Sequence, residues 1–275
     1  MLAAPPPDPH PSLAHLVTAK TRLKWSQAFA PRDQDWVARE EPLEIRVNGY
    51  PLSVVMRTPG HDEELVRGFI VSEGIARPDD ILRVKHCATD ESENVMLVTL
   101  HVRASFNLER FSRQLFVSSS CGVCGKRSTE QALATAGPLE KRPVPQPTAL
   151  LAALSQLRHH QPGYQSCGGL HAAALVSEQG ELCVVREDIG RHNAVDKVIG
   201  FAVATQQLAL SHALLVSGRA SFEIVQKALA ARLGTIVAVG GVSSLAVELA
   251  ERAHINLFGF ATEHQLNLYS EARHE

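Results

Sequence analysis

The chain has 275 residues, of which 45% are hydrophobic and 20% charged, and Lys+Arg 27 against Asp+Glu 29 leave a formal net charge of -2. A chain of that length and composition is an ordinary globular one that buries about three quarters of its unfolded surface. The near-neutral balance excludes a general basic field for nucleic acid, so any anion site has to be local.

The chain opens with "MLAAPPPDPHPS", which has prolines where a signal peptide would carry its apolar core. No stretch reaches the roughly 18 uninterrupted apolar residues of a membrane span. The five cysteines, Cys87, Cys121, Cys124, Cys167 and Cys183, are odd in number and scattered, unlike a secreted disulfide framework. The expectation is a cytoplasmic protein with no membrane segment and no nucleic-acid partner.

Taken in chain order, residues 1–30 are expected to form a disordered tail, because five prolines fall between Pro5 and Pro11. An α+β subdomain is expected over 31–137. In it Asn48-Gly49 sits between two strand-like runs, the strongest short hairpin signal, since both turn positions need positive φ. "GHDEELVRGFIVSEGI" predicts a helix that opens on acidic residues, carries a stripe of Leu65, Phe69 and Ile70, and closes at Gly74. "ILRVKHC" and "NVMLVTLHV" predict strands, and "LERFSRQLF" a short helix. Prolines from Pro138 to Pro147 mark a linker over 138–148.

Over 149–275 the pattern becomes alternation. "ELCVVRE", "ALLVSG", "TIVAVGG" and "INLFGFA" predict strands, with helices at "HNAVDKVIGFAVATQQL", "FEIVQKALAARL" and "SLAVELAERA". Short apolar strands alternating with longer helices predict an α/β domain whose largely parallel sheet is covered on both faces. Such sheets bind ligands beyond the carboxyl ends of their strands.

Two turns at that position carry arginine, "REDIGRHNAVDK" with Arg191 and His192, and "VSGRASFE" with Gly218, Arg219 and Ser221. Free amides at a helix start beside a guanidinium suit a phosphate. The plainer reading pairs Arg191 with Asp188 and Arg219 with Glu223, and leaves Glu187, Asp188 and Asp196 as solvated helix-start charges. "GGVSS" at 240–244 is a third turn of this form. Neither a Walker A sequence nor G-x-G-x-x-G is present.

"SSSCGVCGK" supplies a Cys-x-x-Cys, Cys121 and Cys124, among small polar residues. Three chemistries fit it. Tetrahedral zinc would add Cys167 and His171 from "SCGGLH" to make a zinc-stabilised binding module, though a second compact pair is missing. A thiol oxidoreductase would cycle a Cys121–Cys124 disulfide. An exposed thiolate nucleophile would draw on Lys126, Arg127 and the following helix start to lower its pKa. Cys87 and Cys183 lie in strand-like apolar runs and read as structural. His171 reads equally as an acid–base group or as a histidine hydrogen-bonded in the core.

"SSSCGVCGK", "CGGLHAAAL", "REDIGRHNAVDKVIG", "VSGRASFEIVQKA" and "GFATEHQLNLY", in this order, resemble the FdhD/NarQ family, and the likeness runs from about residue 40 to about 270. The resemblance implies a sulfur carrier, of sulfurtransferase type, that takes sulfane sulfur from a cysteine desulfurase as a cysteine persulfide. It passes that sulfur to the molybdenum bis(molybdopterin guanine dinucleotide) cofactor before insertion into apo formate dehydrogenase.

The fold it implies is a C-terminal cytidine-deaminase-like layered sheet with helices on both faces, without the deaminase zinc, plus the smaller α+β N-terminal subdomain, assembled as a homodimer. Cys121 matches the family's persulfide cysteine and Cys124 its companion. Phe260, Ala261, Thr262, Glu263, His264 and Gln265 fall where the family meets the cofactor, with GDP as an analogue. His171, Arg191, His192, Gly218, Arg219 and Ser221 complete the expected contacts. Two positions depart from the family pattern: Thr262 replaces the usual Arg, and Cys167 the usual Thr.

Overall fold

A computed structural model describes residues 11–22, 25–26, 28–29, 33–91, 93–102, 129–140 and 143–272. The first of these already correct an expectation. β1 (Val17–Arg22) lies inside the stretch expected to be a disordered tail, and pairs antiparallel with β4 (Asp33–Ala38) in the register Val17↔Ala38 to Arg22↔Asp33. Between them β2 (Trp25–Ser26) and β3 (Ala28–Phe29) form a minimal pair. Leu16 and Val17 are buried with Leu170 in a small apolar cluster, which is the reason this segment is ordered. Residues 1–10 lie outside the described residues.

β5 (Glu41–Val47) and β6 (Tyr50–Arg57) make the expected hairpin, with Asn48 at φ 49° and Gly49 at φ 88°. α1 (Asp62–Ser72) follows, with Asp62, Glu63 and Glu64 in its first turn, and Gly74 at φ 66° stands just beyond it. β7 (Ile81–His86) and β8 (Val95–Leu100) complete a four-stranded sheet of order β6-β5-β8-β7. Leu43, Ile45 and Val47 point inward from β5 at alternate positions and are fully buried. The predicted helix at 108–116 lies outside the described residues.

After α2 (Thr129–Ala136) come α3 (Pro147–His159) and α4 (Pro162–Cys167), two helices that the sequence pattern did not signal. β9 (His171–Val176) and β10 (Leu182–Asp188) form a hairpin, and α5 (Arg191–Ala204) leads to β11 (Ala213–Val216). Then α6 (Phe222–Ala230), β12 (Thr235–Ala238), α7 (Ser244–Ala253), β13 (Asn256–Gly259) and β14 (Asn267–Ser270) close the fold.

The six-stranded sheet has the order β10-β9-β11-β12-β13-β14. It is mixed, not largely parallel: β11, β12 and β13 run parallel, while β10–β9, β9–β11 and β13–β14 are antiparallel. The parallel part is where helices make the crossovers, and the antiparallel part is where β9 turns directly into β10 and β13 returns as β14. Helices do cover both faces. Ala173, Leu175, Leu214, Val216 and Ile236 pack with α5, α6 and α7, whereas Ala172, Ala174, Ala213, Leu215 and Val237 pack with α3.

α1 and α5 cross at backbone contact. A Cβ on Gly68 would lie 1.8 Å from the Asp196 carbonyl oxygen, and one on Gly200 would lie 1.7 Å from that of Glu64. Beside this crossing Arg186 Nε and Nη2 donate to the two carboxylate oxygens of Glu64 at 2.6 and 2.8 Å. Burial opposes ionisation of Glu64, but the hydrogen bonds from Arg186 and His61 outweigh it and hold the carboxyl at about 2. A carboxyl depressed on folding contributes stability that is complete above its ordinary value and is lost as pH falls through the folded one. Glu64→Gln is therefore expected to lower stability by about 1–3 kcal/mol at neutral pH. In urea titrations that deficit should shrink as pH falls from 4.5 towards about 2. A deficit independent of pH would contradict the pairing.

Candidate functional site at the carboxyl edge of the sheet

Along one edge of the six-stranded sheet, β10 ends at Asp188 opposite His171 at the start of β9. β11, β12 and β13 end beside them, and β14 begins at Asn267 opposite Gly259. The turns that follow the parallel strands are laced together through their backbones. Gly240 N donates to Gly218 O at 2.9 Å, Ala220 N to Gly241 O at 3.0 Å, Ser243 N to Ala220 O at 3.2 Å, and Phe260 N to Gly240 O at 2.9 Å. Gly240 allows this approach, since a Cβ there would lie 2.9 Å from Arg219 N and from the Gly218 carbonyl. The result is a continuous backbone rim from Gly218 to Phe260.

His171, Arg191 and Gly218 meet at one end of the rim. A Cβ on Gly218 would lie 3.3 Å from His171 Nδ1 and 3.8 Å from Arg191 Cδ, so the glycine admits both side chains. Burial, then Arg191 and Arg219, push the His171 pKa down. Burial, then Lys227 and Arg191, push His192 down to about 4, so its imidazole is neutral at physiological pH.

Arg191 Nε and His192 Nε2 are buried with no hydrogen-bond partner among the described residues. The Glu223 carboxylate is 3.9 Å from His192 Nε2, beyond hydrogen-bond reach, and instead accepts from Ser221 Oγ at 2.6 Å. Two guanidinium groups and two neutral imidazoles, at least two of whose donor-capable atoms are unused, suit an anionic ligand.

At the other end, Phe260 adopts a left-handed φ of 48° and is 55% exposed. A Cβ on Gly241 would lie 2.9 Å from Phe260 Cζ, so the ring lies over that glycine, while its centroid is 6.4 Å from that of Tyr269. Ala261 is buried and its N–H donates to Ala238 O at 3.0 Å. Thr262 to Gln265 form a turn closed by Thr262 N to Gln265 O at 2.9 Å, with His264 N donating to Thr262 Oγ1 at 3.3 Å. Glu263 is held by Arg158 of α3 at 3.0 Å. The residues of 260–265 thus share the edge with His171, Arg191 and Arg219 but sit at its far end.

Three readings of the polar residues need correction. Asp188 does not pair with Arg191: it is fully buried and its partner is Lys197 at 2.8 Å. Glu187 is 8% exposed and accepts from Gly163 N and Tyr164 N at 2.8 and 2.7 Å. Asp196 is 2% exposed and bound to Lys227 at 2.9 Å. None is a solvated helix-start charge, because their partners arrive from remote parts of the chain. Sequence reasoning also passed over Thr58, Asn193 and Lys197, for which the only local signal was a lysine set among apolar residues in "AVDKVIG".

Cys121 and Cys124 lie outside the described residues. Cys167 is engaged locally: its thiol donates to Gly163 O at 3.2 Å and accepts from Gly169 N at 3.3 Å, and burial pushes its pKa up. It is therefore a poor thiolate. Cys183 is likewise pushed up by burial.

The mixed α/β fold has a structural counterpart. A protein from Desulfotalea psychrophila described as a putative formate dehydrogenase accessory protein superposes with a TM-score of 0.74 at 22% identity, over 93% of this chain and 97% of that one. The chain belongs to the FdhD/NarQ family, whose model matches residues 38–274. The sulfur carrier protein FdhD of Mycolicibacterium paratuberculosis is 44% identical over 261 residues, covering 92% of this chain and 95% of its own. That of Mycobacterium tuberculosis is 46% identical over 249 residues, covering 86% and 90%. Among the described residues no helix is long and apolar enough to cross a membrane.

Proposed function

We propose that the protein is a sulfur carrier that serves formate dehydrogenase, with Cys121 as the carrying residue. The Cys121 thiolate attacks the outer sulfur of a persulfide on a cysteine desulfurase. The sulfur–sulfur bond of that persulfide breaks, the desulfurase cysteine leaves as thiolate, and Cys121 holds the new persulfide. The acceptor is the molybdenum bis(molybdopterin guanine dinucleotide) cofactor, bound as substrate along the sheet edge, with guanine nucleotides such as GDP as analogues.

The observation that supports this reading most is that the family match includes Cys121 in a chain whose sheet edge offers Arg191, His192 and Arg219 to an anion. Phosphates would lie near Arg191, His192, His171 and the Gly218–Ser221 turn. The 260–265 turn would meet another part of the dinucleotide, Phe260 offering an exposed aromatic face. In the same reading the six-stranded layer is cytidine-deaminase-like, the protein is cytoplasmic and homodimeric, and Cys124 assists Cys121.

Incubation with a cysteine desulfurase and free cysteine is expected to add the mass of one sulfur atom to the intact protein, removable by a reducing agent. Cys121→Ala should add none. Labelling of Cys121→Ala to the wild-type extent would remove that residue from the role.

A further inference from the structure

We propose that Asp188 and Asn193 are positioning residues that aim Arg191 and His192 at the ligand, and that they do so by clasping this turn to the N-terminal half of the chain. The inference rests on the reading of the sheet edge as a phosphate site.

Four residues of the turn from Asp188 to Asn193 are tied to groups around them. Asp188 Oδ1 accepts from Gly190 N at 2.8 Å and from Asn193 Nδ2 at 3.0 Å. Its Oδ2 accepts from Thr58 N at 3.1 Å and pairs with Lys197 Nζ at 2.8 Å. Ile189 N donates to Thr58 Oγ1 at 3.1 Å, and Thr58 Oγ1 donates onward to Arg39 O at 2.8 Å. Asn193 Nδ2 also donates to Met56 O at 2.7 Å. Lys197 Nζ completes the frame on Thr58 O at 2.9 Å and Glu187 O at 3.2 Å.

The two residues in the middle, Arg191 and His192, are the ones whose Nε and Nε2 have no partner among the described residues. Saturated neighbours around unsatisfied donors is the pattern of a preorganised contact. The frame removes freedom from the backbone, so the side chains it carries need less ordering when a ligand arrives. Met56 lies near the end of β6 and Thr58 follows the strand, so the clasp also fixes the N-terminal half against the site.

The test is calorimetric titration of the full-length protein with GDP as probe, in a double-mutant cycle. Asn193→Ala is expected to weaken GDP binding about tenfold, with a thermal midpoint close to wild type because Asn193 is partly exposed. If Asn193 acts through Arg191, then Arg191→Ala and the double variant Arg191→Ala/Asn193→Ala should bind alike. Asp188→Asn should weaken GDP binding as Asn193→Ala does, but with a lowered thermal midpoint, because the buried Lys197 loses its counter-charge at 2.8 Å. Should that variant fail to fold, the Asn193 cycle still decides.

Equal losses from Asn193→Ala in both backgrounds, or no loss in either, would overturn the positioning role while leaving the phosphate reading intact. Wild-type protein that does not bind GDP, or Arg191→Ala that binds as wild type does, would overturn the phosphate reading and this inference with it.

Discussion

Gly200→Ala is expected to destabilise the protein by about 3 kcal/mol or more. Helix propensity alone points the other way, since Gly→Ala inside a helix gains about 1 kcal/mol. Packing decides. The new methyl would enter at 1.7 Å from the Glu64 carbonyl oxygen and 2.8 Å from Gly68 N, and neither backbone atom can rotate aside. α1 and α5 would have to part, loosening Leu65, Phe69, Val195 and Ile199 and stretching the Glu64–Arg186 pair. A fall in the denaturant midpoint is the expected reading, and Gly68→Ala should match it. A midpoint at or above wild type would show that the crossing is wider than described.

Lys227→Met is the second large effect, for an electrostatic reason. Lys227 Nζ donates to both Asp196 oxygens at 2.9 Å, to Glu73 Oε1 at 2.8 Å and to Ser72 Oγ at 2.9 Å, tying α6 to α5 and α1. Methionine fills most of the same space, so little cavity forms. What is lost is the charge. The buried Asp196 carboxylate would then lose its cation, and an uncompensated buried carboxylate costs about 3–5 kcal/mol.

Burial already pushes the Asp196 carboxyl up to about 6, against the pull of Lys227 and the Ser72 hydroxyl. Without Lys227 it rises further. A raised carboxyl contributes stability below its unfolded value and loses it as pH climbs through the folded one, so the deficit of Lys227→Met should be smaller at pH 5 than at pH 8. Adding Asp196→Asn should recover most of the loss at pH 8. A double variant as unstable as the single one would place the damage in packing.

Several elements were legible because their signals are local. Asn48-Gly49 specified its hairpin, Asp62 to Glu64 and the Leu65–Phe69 stripe specified α1, and strand–helix alternation located the edge that carries Arg191 and Arg219. Proline misled in both directions. Pro5 to Pro11 masked β1, whose partner β4 lies beyond a chain reversal, and Pro147 was read as part of a linker although it starts α3. "HAAALV" is too short and alanine-rich for its direction in the sheet to show.

The buried charges were illegible for another reason. Asp188 meets Thr58 across 130 residues and Asp196 meets Ser72 across 124, distances over which no sequence window operates. A charge run such as "REDIGRHNAVDK" therefore looks like a solvated face until its partners are placed around it.

The central claim is that this chain both receives a sulfur atom and hands it on. The most direct measurement loads the protein from a desulfurase with isotopically labelled cysteine, removes the desulfurase, and adds apo formate dehydrogenase with its bis(molybdopterin guanine dinucleotide) cofactor. The account predicts that label leaves Cys121, appears in the cofactor of the dehydrogenase, and is accompanied by formate oxidation, with none of these from Cys121→Ala. Label that stays on the protein while the dehydrogenase becomes active, or activation by Cys121→Ala equal to wild type, would contradict it.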